Sequence, residues 1–221
     1  MSRHVVITGA NRGIGLELAR QWHERGERVT ALCRQASEEL LALGIRVIED
    51  VDVTDEAVLN RLPDDLNGET VDILFNNAGL LTDEGLSTLD MDRIRHQFEV
   101  NALGPLKVTK ALLPLLKKGS KVALMSSRMG SISDNDSGGR YGYRMTKAAL
   151  NAAGKSLAID LAPREVAVAI LHPGYVKTAM TGHTGHLEPA EAAGRLIQRV
   201  DELTLENSGS FWHSDGTLLP W

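Results

Sequence analysis

Short runs of β-branched and aliphatic residues alternate along this chain with longer stretches in which apolar positions recur every three or four residues. The short runs predict strands near 4–8, 28–33, 45–49, 71–76, 120–126, 166–172 and 209–213. The periodic stretches predict helices near 13–25, 36–43, 55–62, 88–117, 141–162 and 188–203. Strands that are apolar throughout, each followed by a helix, belong to a parallel sheet covered on both faces. The expectation is an α/β fold: a Rossmann-type doubly wound parallel β-sheet of about seven strands with helices on both faces. No repeat, low-complexity tract or linker interrupts it, so residues 1–221 read as a single domain. Two polar, turn-rich segments, 128–140 and 177–187, break the rhythm. Both follow strands at their C-terminal ends, the side of an open α/β sheet where ligands bind.

Chemistry enters with the first strand. His4-Val-Val-Ile-Thr8 runs directly into Gly9-Ala-Asn-Arg-Gly13-Ile-Gly15, and Leu16, Leu18, Ala19 and Trp22 then carry a helical period. Strand, glycine turn and helix form the first half of a dinucleotide-binding unit. Its glycines let backbone approach a pyrophosphate at the helix N-terminus. Far downstream, Tyr143 and Lys147 stand four residues apart in a helical stretch and so share a face. A free phenol titrates near ~10, and adjacent positive charge lowers that value. Reaching about 7 takes roughly 4 kcal/mol of differential stabilisation.

With these motifs the chain resembles the short-chain dehydrogenase/reductase family, over almost its whole length. The family's glycine loop reads here as Thr8 to Gly15, and its Asp after the third strand as Asp52, followed by Val53. Its Asn-Asn-Ala-Gly is Asn76 to Gly79, its helix Asn is Asn101, and its Ser-Ser-x-x-Gly is Ser126 to Gly130. Tyr-x3-Lys is Tyr143 to Lys147, and Pro-Gly-x-Val-x-Thr is Pro173 to Thr178. Within the family the chain is similar to the small carbonyl-reductase-like group that includes the C-factor and sniffer proteins.

The resemblance implies four cooperating catalytic residues: Asn101, Ser127, Tyr143 and Lys147. Tyr143 would exchange a proton with the substrate oxygen, Ser127 would give that oxygen a second hydrogen bond, and Lys147 would hold down the phenol pKa and bond the nicotinamide ribose. Asn101 would bind, through its backbone, a water leading from Lys147 to solvent. The 15 residues between Ser127 and Tyr143 exceed the family's usual spacing by about three, which makes Ser131 and Ser133 rivals for the serine role. Tyr141 is a rival tyrosine but lacks a Lys four residues on. The same resemblance assigns cofactor contacts to Gly9, Asn11, Arg12, Gly13, Ile14, Gly15, Arg34, Asp52, Val53, Asn77, Ala78, Gly79, Tyr143, Lys147, Pro173, Gly174, Val176 and Thr178. Asp52 would meet the adenine edge, Asn77 to Gly79 the adenosine ribose, and Thr178 the nicotinamide carboxamide.

The second strand ends at Cys33-Arg34 with no acid at its tip. An acid there would bond the 2′-hydroxyl of NAD, whereas a base accommodates the 2′-phosphate of NADP. Arg34, with Arg12 from the glycine loop, therefore predicts NADP(H), with NAD(H) as the alternative.

Composition narrows the remaining choices. A net charge of −5, with acids and bases mixed along the chain, excludes an electrostatic footprint for nucleic acid. No apolar stretch approaches the length of a membrane span, no leader precedes the first strand, and Cys33 is the only cysteine, so a cytoplasmic protein is expected. His183, His186 and His213 lack the partners of a zinc site, and no metal is predicted. The family pairing of subunits implies a homodimer through helices 88–117 and 141–162. Their Leu103, Leu106, Leu112, Leu113, Leu150, Leu157 and Ile159 exceed the needs of one core face. The expected function is NADPH-dependent reduction of a small carbonyl compound. Its rivals are an NAD-linked alcohol dehydrogenase and a cofactor-binding signalling or sensor protein.

Overall fold

The computed structural model describes residues 2–221. Within them seven strands form one sheet: β1 (His4–Thr8), β2 (Arg28–Leu32), β3 (Arg46–Ile48), β4 (Val71–Asn76), β5 (Leu116–Met125), β6 (Ala167–His172) and β7 (Phe211–His213). Their order is β3-β2-β1-β4-β5-β6-β7, with every neighbouring pair parallel. The helices are α1 (Gly13–Glu24), α2 (Glu38–Leu41), α3 (Glu56–Asp65), α4 (Met91–Phe98), α5 (Gly104–Leu112), α6 (Tyr141–Leu161) and α7 (Pro189–Asp201).

The strands are apolar throughout because successive side chains feed different cores. Val5, Ile7, Ile73, Phe75, Ala123, Met125, Ala169 and Leu171 join one cluster with Leu18 and Trp22 of α1 and Leu196 and Ile197 of α7. Val6, Val71, Leu74, Val122, Leu124, Val168 and Ile170 join the opposite cluster with Leu59, Val108 and Leu150 of α3, α5 and α6. Trp22 meets Phe75 edge to face, with ring centroids 5.8 Å apart.

Strand order reverses between β1 and β4, so their C-terminal ends flank the crevice where a doubly wound sheet takes its ligand. The glycine loop leaves β1 there, and Asn77 to Gly79 leave β4. A cavity of about 320 Å³ lies at the other end of the strands, lined by His23, Arg28, Arg46 and Glu69 among others. Chemistry, not cavity size, locates the site.

Several boundaries differ from the sequence expectation. The helix expected over 88–117 is three pieces: α4, a π-helical turn at Glu99–Leu103, and α5. Pro105 has no N–H to give the helical ladder, and the wider π turn absorbs the break. Pro114 lies in a short 3₁₀ turn, after which β5 starts at Leu116, four residues earlier than expected. β5 bulges between its pairings Val71–Leu116 and Ile73–Lys121. The helix over 36–43 shrinks to the single turn of α2, capped by Ser37, whose Oγ accepts from Leu40 N. The seven residues invoked for a homodimer differ in burial. Leu112 and Leu150 are buried in the core, Leu103, Leu106, Leu113 and Leu157 are half-buried, and only Ile159 of the seven is exposed.

Candidate active site

The glycine loop is a cradle shaped by backbone contact. Gly9 adopts φ +65°, and a Cβ there would lie 2.9 Å from Ala78 Cα. A Cβ at Gly15 would collide with Gly9 O and with Asn77 Nδ2. Only glycine permits this approach, and it leaves the N-terminus of α1 free for an anion. Thr8 and Asn77 fasten the cradle. Thr8 Oγ1 accepts from Asn77 N and Ala78 N, both at 3.0 Å, and Asn77 Nδ2 donates to Thr8 O at 3.1 Å and Gly9 O at 2.9 Å. The Asn77 side chain is thus committed to the loop.

Arg12 and Arg34 are both exposed, and among the described residues neither has an acidic partner. Asp52 is engaged by Thr54, accepting from its N at 2.8 Å and its Oγ1 at 2.7 Å. Burial raises the Asp52 carboxyl, but the Thr54 bonds with the Arg34 and His96 charges bring it below the usual carboxylate value. Val53 packs beneath Gly104. Asn11 and Ile14 lie half-buried on the loop and first turn of α1. Thr178 comes within reach of Gly13, closing the cradle from the β6 side. Beyond β6, Pro173 O accepts from Ser214 Oγ, Gly174 packs against Leu187 and His213, and Val176 is buried and bridged to Leu187.

The structure brings Asn101, Ser127, Tyr143 and Lys147 together. Lys147 is buried, with Nζ donating to Met125 O at 2.7 Å and standing 5.6 Å from the centre of the Tyr143 ring. Gly79 lies against both Lys147 Nζ and Asn101 Oδ1. The fully buried Asn101 side chain clamps the backbone of Leu80, accepting from its N at 2.9 Å and donating to its O at 2.8 Å, and donates to Thr146 Oγ1 at 3.2 Å. It sits in the π turn, where backbone carbonyls leave the α-helical pattern.

Ser127 is buried at the tip of β5, its Oγ accepting from Met129 N at 3.2 Å. Burial pushes the Tyr143 phenol up, and the Ser127 hydroxyl and Arg140 charge pull it back only in part. Burial also lowers the Lys147 ammonium to about 7. In the free protein the same desolvation drives both groups toward their neutral forms. Of the rivals, Tyr141 is exposed, and Ser131 and Ser133 turn away to bond Trp221 O.

Two supports were missed by sequence reasoning. Asn151, one helical turn past Lys147, accepts from the buried Ser126 hydroxyl at 2.5 Å and ties α6 to the β5 tip. Thr146 donates to Tyr143 O at 2.9 Å while receiving the Asn101 bond. Polar residues on the buried face of α6 were the available signal.

A glycine cradle at the sheet's switch point, facing a Ser, Tyr and Lys from β5 and α6, defines a nicotinamide-dependent oxidoreductase site. Residues 3–188 match the short chain dehydrogenase family profile. The chain belongs to that family. It is 44% identical to 1-hydroxy-2-glutathionyl-2-methyl-3-butene dehydrogenase of Rhodococcus sp. (strain AD45), over 98% of this chain and 99% of that one. Its fold matches carbonyl reductase Sniffer of D. melanogaster with TM-score 0.93, 31% identity and complete coverage of both chains. It also matches a carbonyl reductase from Pseudomonas aeruginosa PAO1 in complex with NADP, with TM-score 0.89, 31% identity and complete coverage of both.

If Ser127 gives the substrate oxygen its second hydrogen bond, exchanging it for alanine should lower kcat on the order of 10²-fold. Ser131→Ala should change kcat less than about threefold, since Ser133 keeps its own bonds to Trp221. Steady-state rates of the two variants check the assignment, and the reverse ranking would move the role to Ser131.

Proposed function

We propose that the protein reduces a small apolar carbonyl compound, an aldehyde, ketone or quinone, with NADPH, and that Tyr143 is the acid. The observation that carries this reading is the gathering of half-buried Tyr143 with buried Ser127 and Lys147 at the tip of β5, where desolvation raises the phenol pKa and favours its protonated form. A reductase needs that state, because its acid must hold a proton when the substrate arrives.

The residues present fit the cofactor. The glycine cradle would take its pyrophosphate on the N-terminus of α1, and the unpaired Arg12 and Arg34 would take a 2′-phosphate. When bound, the reduced nicotinamide supplies a hydride to the carbonyl carbon. Tyr143 gives its proton to the carbonyl oxygen, and Ser127 donates a hydrogen bond to the same atom. Lys147, titrating near neutrality, stabilises the phenolate left behind and passes a proton back to it. Ile132, Tyr175 and Met180 are exposed on the segments that follow β5 and β6, and exposed apolar side chains on the ligand side of the sheet would suit an apolar substrate. The buried free Cys33 thiol suits a reducing, cytoplasmic setting.

NADPH oxidation followed over a panel of aldehydes, ketones and quinones tests the reading. Turnover that disappears in Tyr143→Phe is the expected result. Cofactor binding without any turnover would favour the signalling alternative. The 44% identical relative is named a dehydrogenase, and that favours alcohol oxidation with NAD as the second reading. Arg34→Asp separates the two. It removes a phosphate partner and supplies a ribose acceptor, so kcat/KM for NADPH should fall roughly tenfold to 10²-fold and that for NADH should rise. Unchanged NADPH kinetics in both Arg34→Asp and Arg12→Ala would remove the basis for NADP preference.

A further inference from the structure

We infer that the main-chain oxygen of Trp221 anchors the loop carrying Ser127, making Ser131, Ser133 and Trp221 positioning residues for the active site; the catalytic half of this inference rests on the reductase reading above. Three donors converge on that one oxygen: Ser133 Oγ at 2.8 Å, Ser133 N at 3.1 Å and Ser131 Oγ at 3.2 Å. The Trp221 ring stacks on the buried Phe211 of β7, with centroids 5.7 Å apart and planes at 24°, which fixes where the oxygen sits.

The anchored loop has little freedom left. Ser131 is itself buried, and its Oγ also accepts from Asp134 N at 3.2 Å. Asp134 pairs with Arg128, and Gly130 N donates to Ser127 O at 2.8 Å. From Trp221 back to Ser127 the path runs through hydrogen bonds, one ion pair and peptide bonds between adjacent residues. The loop also presses on the catalytic helix. A Cβ at Gly130 would lie 2.7 Å from Lys147 C and 2.8 Å from Lys147 O, so loop backbone and α6 backbone are in direct contact. A loop released at Ser131 and Ser133 would loosen its hold on Ser127 and lose its seat against Lys147 together.

The extra residues between Ser127 and Tyr143 explain why an anchor is needed. Asn135 to Gly138 are exposed, and Gly138 and Gly139 both take φ +62°. Such a turn supplies little packing to order the residues before it. The bond to Trp221 lies just ahead of this stretch and isolates Ser127 from it.

The test removes Trp221 and, separately, combines Ser131→Ala with Ser133→Ala; Trp221→Phe keeps both the ring stack and the oxygen. Two quantities are read: amide hydrogen exchange over residues 127–134, and kcat with NADPH dissociation constant per folded enzyme. Removal of Trp221 and the double serine variant should speed exchange across 127–134. They should lower kcat roughly tenfold or more, since small misplacements of reacting groups are costly, with NADPH affinity held within about twofold. Trp221→Phe should behave as wild type in both. A purely structural tail would lower the melting temperature yet leave kcat per folded molecule and exchange at 127–134 unchanged, and either unchanged quantity overturns the inference. A wild-type chain that reduces no carbonyl would defeat the reductase reading and with it the catalytic half, while the exchange measurement decides the anchor on its own.

Discussion

Replacing Tyr143 by phenylalanine should lower kcat by ~10²–10⁴-fold, the usual cost of losing a general acid. NADPH affinity should stay nearly unchanged, because the ring and its packing survive and only the hydroxyl leaves. The raised phenol pKa sharpens the expectation for pH. In wild type the reducing activity should fall on the alkaline side as the phenol loses its proton, beyond the step near pH 7 where Lys147 titrates. In Tyr143→Phe the residual rate should lack that alkaline limb. Stopped-flow reduction of one aldehyde from the panel, with fluorescence titration of NADPH, provides both numbers. Retention of more than about a tenth of wild-type kcat would assign the proton to another group.

The legible part of this protein was the part written in local pattern. The run His4–Thr8 announces a strand, and the glycines after it announce a turn, because both signals lie within a few residues of the structure they specify. The same holds for Tyr143 and Lys147, whose spacing alone puts them on one face of α6. What stayed hidden depends on neighbours distant in sequence. The helical period runs unbroken through Gly104-Pro105, so the missing N–H of Pro105 and the π turn beside Asn101 did not register in it. Leu112 and Leu150 look surplus on their own helices and become core only when the sheet is laid beneath them. Asn77 could not be read as a clamp until Gly9 O was brought within 2.9 Å of its side chain. Ser131 and Ser133 resembled rivals of Ser127 because their actual partner, Trp221, is about ninety residues away. Proximity of Tyr143 to Lys147 is visible in the sequence, and the desolvation that acts on both is not.

Lys147 yields the last expectation, in which stability and activity move in opposite directions. Substitution by methionine should abolish carbonyl reduction and yet stabilise the protein without cofactor near neutral pH. Burial brings the ammonium from its ordinary 10.5 to about 7. At about 1.36 kcal/mol per pH unit, this is a folding penalty of roughly 5 kcal/mol wherever the lysine is charged in both states. The unfolded chain binds the extra proton between about 7 and 10.5, so wild-type stability recovers as pH rises through that window, and below it the penalty applies in full. Methionine has similar length and no charge, but it leaves Met125 O without the 2.7 Å bond, a loss of about 1–3 kcal/mol. The net gain for Lys147→Met should therefore be roughly 2–4 kcal/mol at pH 6, shrinking toward zero or reversing near pH 10. Urea unfolding of both proteins at pH 6, 8 and 10 measures the difference directly, and other titrating groups cancel in it. A difference that does not vary with pH would show that Lys147 is not held against its charge. A variant less stable than wild type at pH 6 would show that the bond to Met125, and not desolvation, dominates at this position.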